Sequence, residues 1–529
     1  MEGLLDALRR DATDALVGRA MQWLEDDPEG FGRAVREHVA RERAAAAPDI
    51  VIPPTWRNIT GNQAESPSSL TAATSLQDLV DAVTQAADGE QVRAVGSGYS
   101  FSDITLAPGH MITTAGMNRV LDLEPSVLKS PPTDLFRFEG GITIEALNQA
   151  LADAGLALIN MGGDDGQSFA GAMSTSTHGS GVTLGAFPSM VRSLDLVAGD
   201  GSVHRVEPAD GITDPAKFAA AHPTVALHQD DAWFRTVTCA MGCAGLVHSV
   251  YLEVMPAYDL VEKRVATTWS EMKAKLQDVD AQGIPKLLTQ HRHVEIDLNP
   301  YPESGGDHFA ILVTRDITEL PPGGGTGHRN YLTAILSAIP GIETVLVDFL
   351  NLFSCLIPAL TTNAMKSLED SDYVDVSYEV LNLGAPNDLS AYGLEVALPM
   401  DEIVTAVETI FAQAAAGREK GLWQTAPIAL RFVAPADAYL SPQVGRPTCM
   451  IECDTLNGTT DGWTLLGQYE RAVIDATSAR VHWGLENDVL TPADVTSMYP
   501  ELAAWRSVVA AIDVGGHFQG PFTARVGLE

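Results

Sequence analysis

A chain of 529 residues exceeds one ordinary domain and can bury two sizeable cores. Its composition, 45% apolar and 19% charged, predicts a folded soluble protein, and no run sustains the ~18 apolar residues of a membrane span. With 69 acids against 33 bases the net charge is −36, a field that repels nucleic acid and anionic lipid and excludes modes of binding that need a basic stripe. That acidity is read either as an adaptation for solubility or as a preference for a cationic substrate or partner.

In chain order, the start reads Met-Glu-Gly with Asp6, Arg9, Arg10 and Asp11 close behind, which is not a signal-peptide pattern, so the expected location is cytoplasmic. Residues 1–48 form a helical extension, because Leu4, Leu5, Leu8, Leu16, Ala20 and Leu24 recur near helical spacing. It either docks on the body or mediates association. Ser75 stands three residues before Asp78 and opens a capped helix. Gln91–Val95 is a short buried strand, Phe136–Glu139 another, and Ile144–Leu156 a second helix. Strand and helix alternate to about Met255, and Pro256 marks a boundary. Beyond it lie longer strands, among them Gly393–Leu398 and Ile428–Val433, and a glycine cluster over 321–327 that reads as a loop. The fold class is α+β. Five cysteines, odd in number and without metal-ligand spacing, predict buried free thiols and no metal site.

Two segments rich in Gly, Ser and Thr carry the chemistry. The first, Gly96-Ser97-Gly98-Tyr99-Ser100, follows a strand directly. The second runs from Gly162 and Gly163 through Gln167, Gly171, Ser174, Thr175 and Thr177 to His178 and Gly179. Glycine lets backbone approach a ligand, and successive N–H groups form an anion-binding nest. Neither loop is a Walker or a Rossmann motif, yet together they can cradle a diphosphate.

As a pair, in this order, the loops resemble those of the vanillyl-alcohol-oxidase-type (PCMH-type) FAD-binding family, nearest its alditol, aldonolactone and sterol oxidase branch. The likeness extends through Asn118–Leu123, through Met241–Val250 with Gly245 and Val247 beside the flavin, and through Leu430–Pro442 and His482-Trp483-Gly484. The resemblance implies a two-domain fold: an FAD-binding domain at 49–255, an α+β cap at 256–479 and a return at 480–529. It also implies FAD in the glycine loops, a small-molecule alcohol substrate beneath the cap, and O₂ or another electron acceptor.

Departures from the branch are informative. Tyr99 replaces the histidine that links the flavin, and the second loop has no cysteine, so FAD is expected to be non-covalent. The alditol-oxidising branch carries Glu-x-Arg on a cap strand and Lys after His-Trp-Gly; here stand Ala429-Leu-Arg431 and Leu485. A compensating acid is sought on the next strand, where Glu452 and Asp454 share a face by alternation. Such a pair can share a proton and raise one member into the range of a general base; the alternative is an exposed acidic edge. Arg431 is assigned to stabilising alkoxide or reduced flavin. His482 and Glu395 complete the catalytic candidates, each with a structural role as the alternative. The expected reaction is hydride removal from a CH–OH carbon of a sugar lactone, a polyol or a related alcohol. The rivals are a sterol-like substrate, suggested by the apolar run Leu346–Pro358, and a flavin-binding protein without turnover.

Overall fold

The computed structural model describes residues 2–10, 13–43, 56–87, 89–324, 334–336, 339, 342, 345–383 and 391–529. The end of the helical extension and residues 325–327 of the glycine cluster lie outside them.

Three helices, Glu2–Arg10, Asp14–Asp26 and Pro28–Arg43, make up the extension. They dock on the body. Their apolar stripe, including Leu5, Trp23, Phe31, Val35 and Val39, joins the main core. Phe31 meets Phe349 edge-on at 5.8 Å, and His38 lies against Phe353 at 5.2 Å. The apolar run is therefore a pair of buried helices, Leu346–Leu352 and Ile357–Ser367, beneath the extension. Among the described residues no single helix is long and apolar enough to cross a membrane.

The first half carries a three-stranded and a five-stranded sheet besides two two-stranded ladders. Ser69–Ala72, His110–Thr113 and Val92–Val95 form a parallel three-stranded sheet. Ser75 caps Leu76–Thr84 by accepting from Asp78 N–H, as its spacing predicts. A five-stranded sheet follows, in the order Val225–Gln229, Val203–Glu207, Val191–Val197, Leu246–Glu253, Leu135–Glu139. The helix Ile144–Asp153 packs beside it, opened by Thr143.

The second half is built on an antiparallel sheet of eight strands. Its order is Asp370–Val376, Asp259–Thr268, His308–Thr318, His293–Pro302, Ile428–Val433, Thr448–Leu456, Ala391–Pro399, Arg480–Val481. One face packs on helices such as Ile403–Glu419 and Gly462–Ala476 and is apolar. The other faces the glycine loops and carries charge. The C-terminal stretch runs back to the first half, where His517 O accepts from Val92 N–H and Ile512 O from Gly199 N–H.

Candidate active site

The first glycine loop leaves the strand Val92–Val95 and turns at Gly98, whose φ of +75° excludes most side chains. A Cβ on Gly96 would collide with Ser168 Oγ, so the bare glycine lets the second loop close on the first. Between them opens a cleft bounded by Arg93, Gly96–Ser100, Gln167, Gly171, Ser174, Thr175, Thr177, Gly245, Val247, His482 and Leu485, with others. Twelve residues expected to hold the cofactor thus border one space. Gly162, Gly163, His178 and Gly179 stand behind its wall. A Cβ on Gly179 would strike Met161 O, and one on Gly163 would press on Leu383.

The polar inventory fits a large anionic cofactor. Among the described residues the N–H groups of Ser97, Gly98, Tyr99 and Ser100 meet no protein acceptor. Gln167 Oε1 and Thr105 Oγ1 border the cleft, buried and unpartnered. Arg93, at the edge of the cleft, donates to the carbonyls of Ile104 (2.9 and 2.5 Å) and Phe518 (3.4 Å) and brings a positive charge to the site. Tyr99 fills the space over Gly166, and burial with Asp164 and Asp165 nearby pushes its phenol up to about 12.

The second loop fastens this cleft to the cap sheet. Ser180 Oγ donates to Val294 O, Phe432 N–H donates to Ser180 Oγ at 3.3 Å, and Ser180 O lies 2.8 Å from His293 Nδ1. His178 Nδ1 is 2.8 Å from Gly179 O and Nε2 is 3.1 Å from Glu395. Burial opposes charge on this ring, but Glu395, as countercharge and acceptor, outweighs it and raises the imidazole. Burial likewise works against the Glu395 carboxylate, yet His178 holds it at about 2. The two form a buried ion pair. His482, 6.1 Å from His178 between ring centroids, accepts from Gly484 N–H at Nδ1, and burial brings it down to about 4. It is neutral near pH 7.

The sheet register sets out the remaining candidates. One rung runs Asp297, Ala429, Glu452, Glu395; the next carries Glu295, Arg431, Met450, Ala397. Side chains across a rung share a face, so these charges all look toward the glycine loops. Arg431 pairs with Glu452 and lies 3.5 Å from Glu295. Glu295 also pairs with Arg315 at 2.9 Å, and Arg315 with Glu262 at 2.7 Å. Burial raises the carboxyls of Glu452 and Asp454 and Arg431 opposes it, while Glu395 adds to the rise in both and Glu452 adds to that of Asp454. Asp454 and Glu452 are half-buried on the face opposite Ile451 and Cys453, as alternation predicts. Both therefore belong to the cluster around Arg431 and not to a free acidic edge. Ala429 and Leu485, where the alditol branch has Glu and Lys, border this region; Asp297 and Glu452 flank Ala429 from either side.

Sequence reasoning missed Glu295, Asp297, Arg315 and Glu262. Val294-Glu-Ile-Asp-Leu298 shows the same alternation as Met450–Asp454 and was the available signal.

Comparison with known proteins agrees with this architecture. A family model described as FAD binding domain matches residues 67–207, and one described as D-arabinono-1,4-lactone oxidase matches 250–526. An L-gulono-1,4-lactone dehydrogenase of Mycobacterium tuberculosis is 28% identical over 477 residues, 89% of this chain and 99% of its own length. An alditol oxidase of a Streptomyces species is 25% identical, covering 88% and 97%. The L-gulonolactone oxidase of Mus musculus is 23% identical, covering 83% and 90%. Among solved structures, cholesterol oxidase from B. sterolicum superposes with a TM-score of 0.67 at 14% identity over 91% of this chain and 100% of its own, which shows the shared PCMH-type fold. The chain belongs to the D-arabinono-1,4-lactone oxidase family and is an FAD-dependent oxidoreductase acting on a CH–OH group.

Proposed function

We propose that the substrate is a neutral aldonolactone or related polyol and that FAD is held without a covalent bond. The observation that carries the substrate reading is the Arg431–Glu452 pair beside Ala429, on the row that His178 and Glu395 tie to the second glycine loop. FAD held by Gly96–Ser100 and the second glycine loop would supply the two-electron oxidant for the substrate carbon. Glu452, its carboxyl raised by burial, takes the hydroxyl proton. Arg431, held by Glu452 and Glu295, stabilises the oxygen as negative charge develops on it. His482, uncharged and buried, keeps the floor beside Gly484 ordered. The curated relatives that act on lactones support the substrate class, and Tyr99 at the linking position supports free FAD. The second helix of the apolar pair meets the strand of Asp297 at Asn299, whose Nδ2 donates to Pro358 O at 3.0 Å and Thr362 Oγ1 at 2.9 Å, and the charges of the row beside it suit hydroxyl groups better than a sterol-like surface.

One experiment tests both parts. The purified protein is precipitated with acid, and the holoenzyme is mixed anaerobically with L-gulono-1,4-lactone, a linear alditol and cholesterol. Yellow FAD is expected in the supernatant and bleaching with the lactone or alditol. Flavin fixed in the washed pellet would refute free FAD. Bleaching by cholesterol alone, or by nothing, would refute the substrate class.

A further inference from the structure

The slot over Ala429 has two carboxyl walls. Adjacent strands stand ~4.8 Å apart, so Asp297 and Glu452 face each other across roughly 10 Å of sheet with only a methyl group between them. Asp297, Ala429 and Glu452 keep accessible surface, whereas Ile296, Leu298, Leu430 and Ile451 on the opposite face are buried. The two walls differ. Glu452 is ion-paired to Arg431, whereas no hydrogen bond or ion pair holds the Asp297 carboxyl among the described residues. A half-buried carboxyl without a partner is costly unless a ligand supplies one.

We propose that Asp297 is a specificity-determining residue that hydrogen-bonds a hydroxyl of a neutral polyhydroxy substrate seated over Ala429, next to the hydroxyl handled by Glu452 and Arg431. The inference rests on the reaction proposed above. The groups facing Asp297 are Glu295 on its own strand, Arg264 and Arg315 on the outer strands, and Arg431 and Glu452 beyond Ala429. Burial and Glu295 raise it, the arginines oppose them, and it settles at about 8. It therefore keeps its proton near pH 7 and can both donate to and accept from a substrate hydroxyl. An open-chain aldonate would bring a carboxylate against Glu295, Glu452 and Asp454 with Arg431 already paired. The slot thus selects the lactone or polyol over the acid.

Holoenzyme kinetics with L-gulono-1,4-lactone across pH, for wild type, Asp297→Asn and Asp297→Ala, test the contact. Asp297→Ala is expected to raise KM on the order of 10- to 100-fold, the value of a hydrogen bond to a buried partner, with kcat moved less. Asp297→Asn keeps a donor and is expected to restore KM at pH 7. The wild-type KM should climb above pH about 8 and that of Asp297→Asn should not. Infrared difference spectra should show a protonated carboxyl band that moves on adding lactone and is missing in Asp297→Asn. An Asp297→Ala enzyme with wild-type KM and pH profile would overturn the contact while leaving the reaction standing. A wild type that never bleaches with lactone, yet whose carboxyl band moves with it, would overturn the reaction and leave the contact.

Discussion

Arg431 and Glu452 illustrate why residue identity alone did not settle the active-site chemistry. Taken singly, each is a charged residue in an apolar strand. Together they are mutually dependent: the guanidinium works against the burial that raises Glu452. Removing it by Arg431→Ala is therefore expected to do two things while FAD stays bound. The rate should fall on the order of 10²–10³-fold, as when one preorganised donor is lost. The acid limb of the pH profile should also move to higher pH, because Glu452 loses the charge that favours its ionised form. Glu452→Gln should abolish most activity and flatten that limb, since the carboxylate must be ionised to act and ionisation increases with pH. Steady-state profiles of the two variants check both claims. An unmoved acid limb in Arg431→Ala would show that the two side chains are not coupled.

At the scale of elements, what was local in sequence could be read and what depended on strand order could not. Ser75 and its helix, Gly96–Ser100 after a strand, and the alternation of Glu452 with Ile451 are short-range patterns, and the structure repeats each one. Asp297 was invisible as a site residue because its neighbours lie on strands that begin some 130 residues further on, and only the register of an eight-stranded sheet brings them together. The role of His178 shows the same limit. Its place in a Thr-x-Thr-His-Gly segment pointed to the cofactor, whereas its Nε2 reaches Glu395 on the cap sheet, 217 positions away. For the glycines, the two loops predict different failures. Gly98→Val forces a β-branched side chain to φ +75°, its Cβ in ordinary contact at 3.4 Å from Asn58 Cα, so the loop must change conformation where backbone N–H groups face the cleft. Gly179→Val instead drives a side chain into Met161 O and Asn160, displacing the turn that carries His178. Loss of flavin is expected in both, measured by the ratio of flavin to protein absorbance. Only Gly179→Val should also lower the melting temperature of flavin-free protein markedly. Equal melting losses in both would refute this division of roles.

For the whole molecule, the joint between the glycine loops and the cap sheet includes a buried ion pair with the Ser180 hydrogen bonds beside it. A pair shut away from water on both sides responds to pH in a way surface pairs do not. His178 is raised in the folded state, so its contribution is complete below its unfolded value near 6.5 and fades as pH climbs through the higher folded one. Glu395 is depressed to about 2, so its contribution is complete above its unfolded value near 4.5 and is lost as pH falls toward 2. The two conditions overlap between about pH 4.5 and 6.5, where the pair is at full strength. Replacing Glu395 by Gln keeps the shape and removes the countercharge, and His178 then sheds its proton instead of remaining an unpaired buried cation. The difference in melting temperature between wild type and Glu395→Gln should therefore be widest in that window. It should narrow on the alkaline side as His178 loses its proton in the wild type too, and on the acid side as Glu395 gains one. Calorimetry from pH 3 to 9 reads this directly, and because flavin binding is itself tied to the joint, the scans belong on both flavin-loaded and flavin-free protein. A difference that stays constant across that range would mean that the joint is held by Ser180 and packing, with the charges of His178 and Glu395 adding nothing.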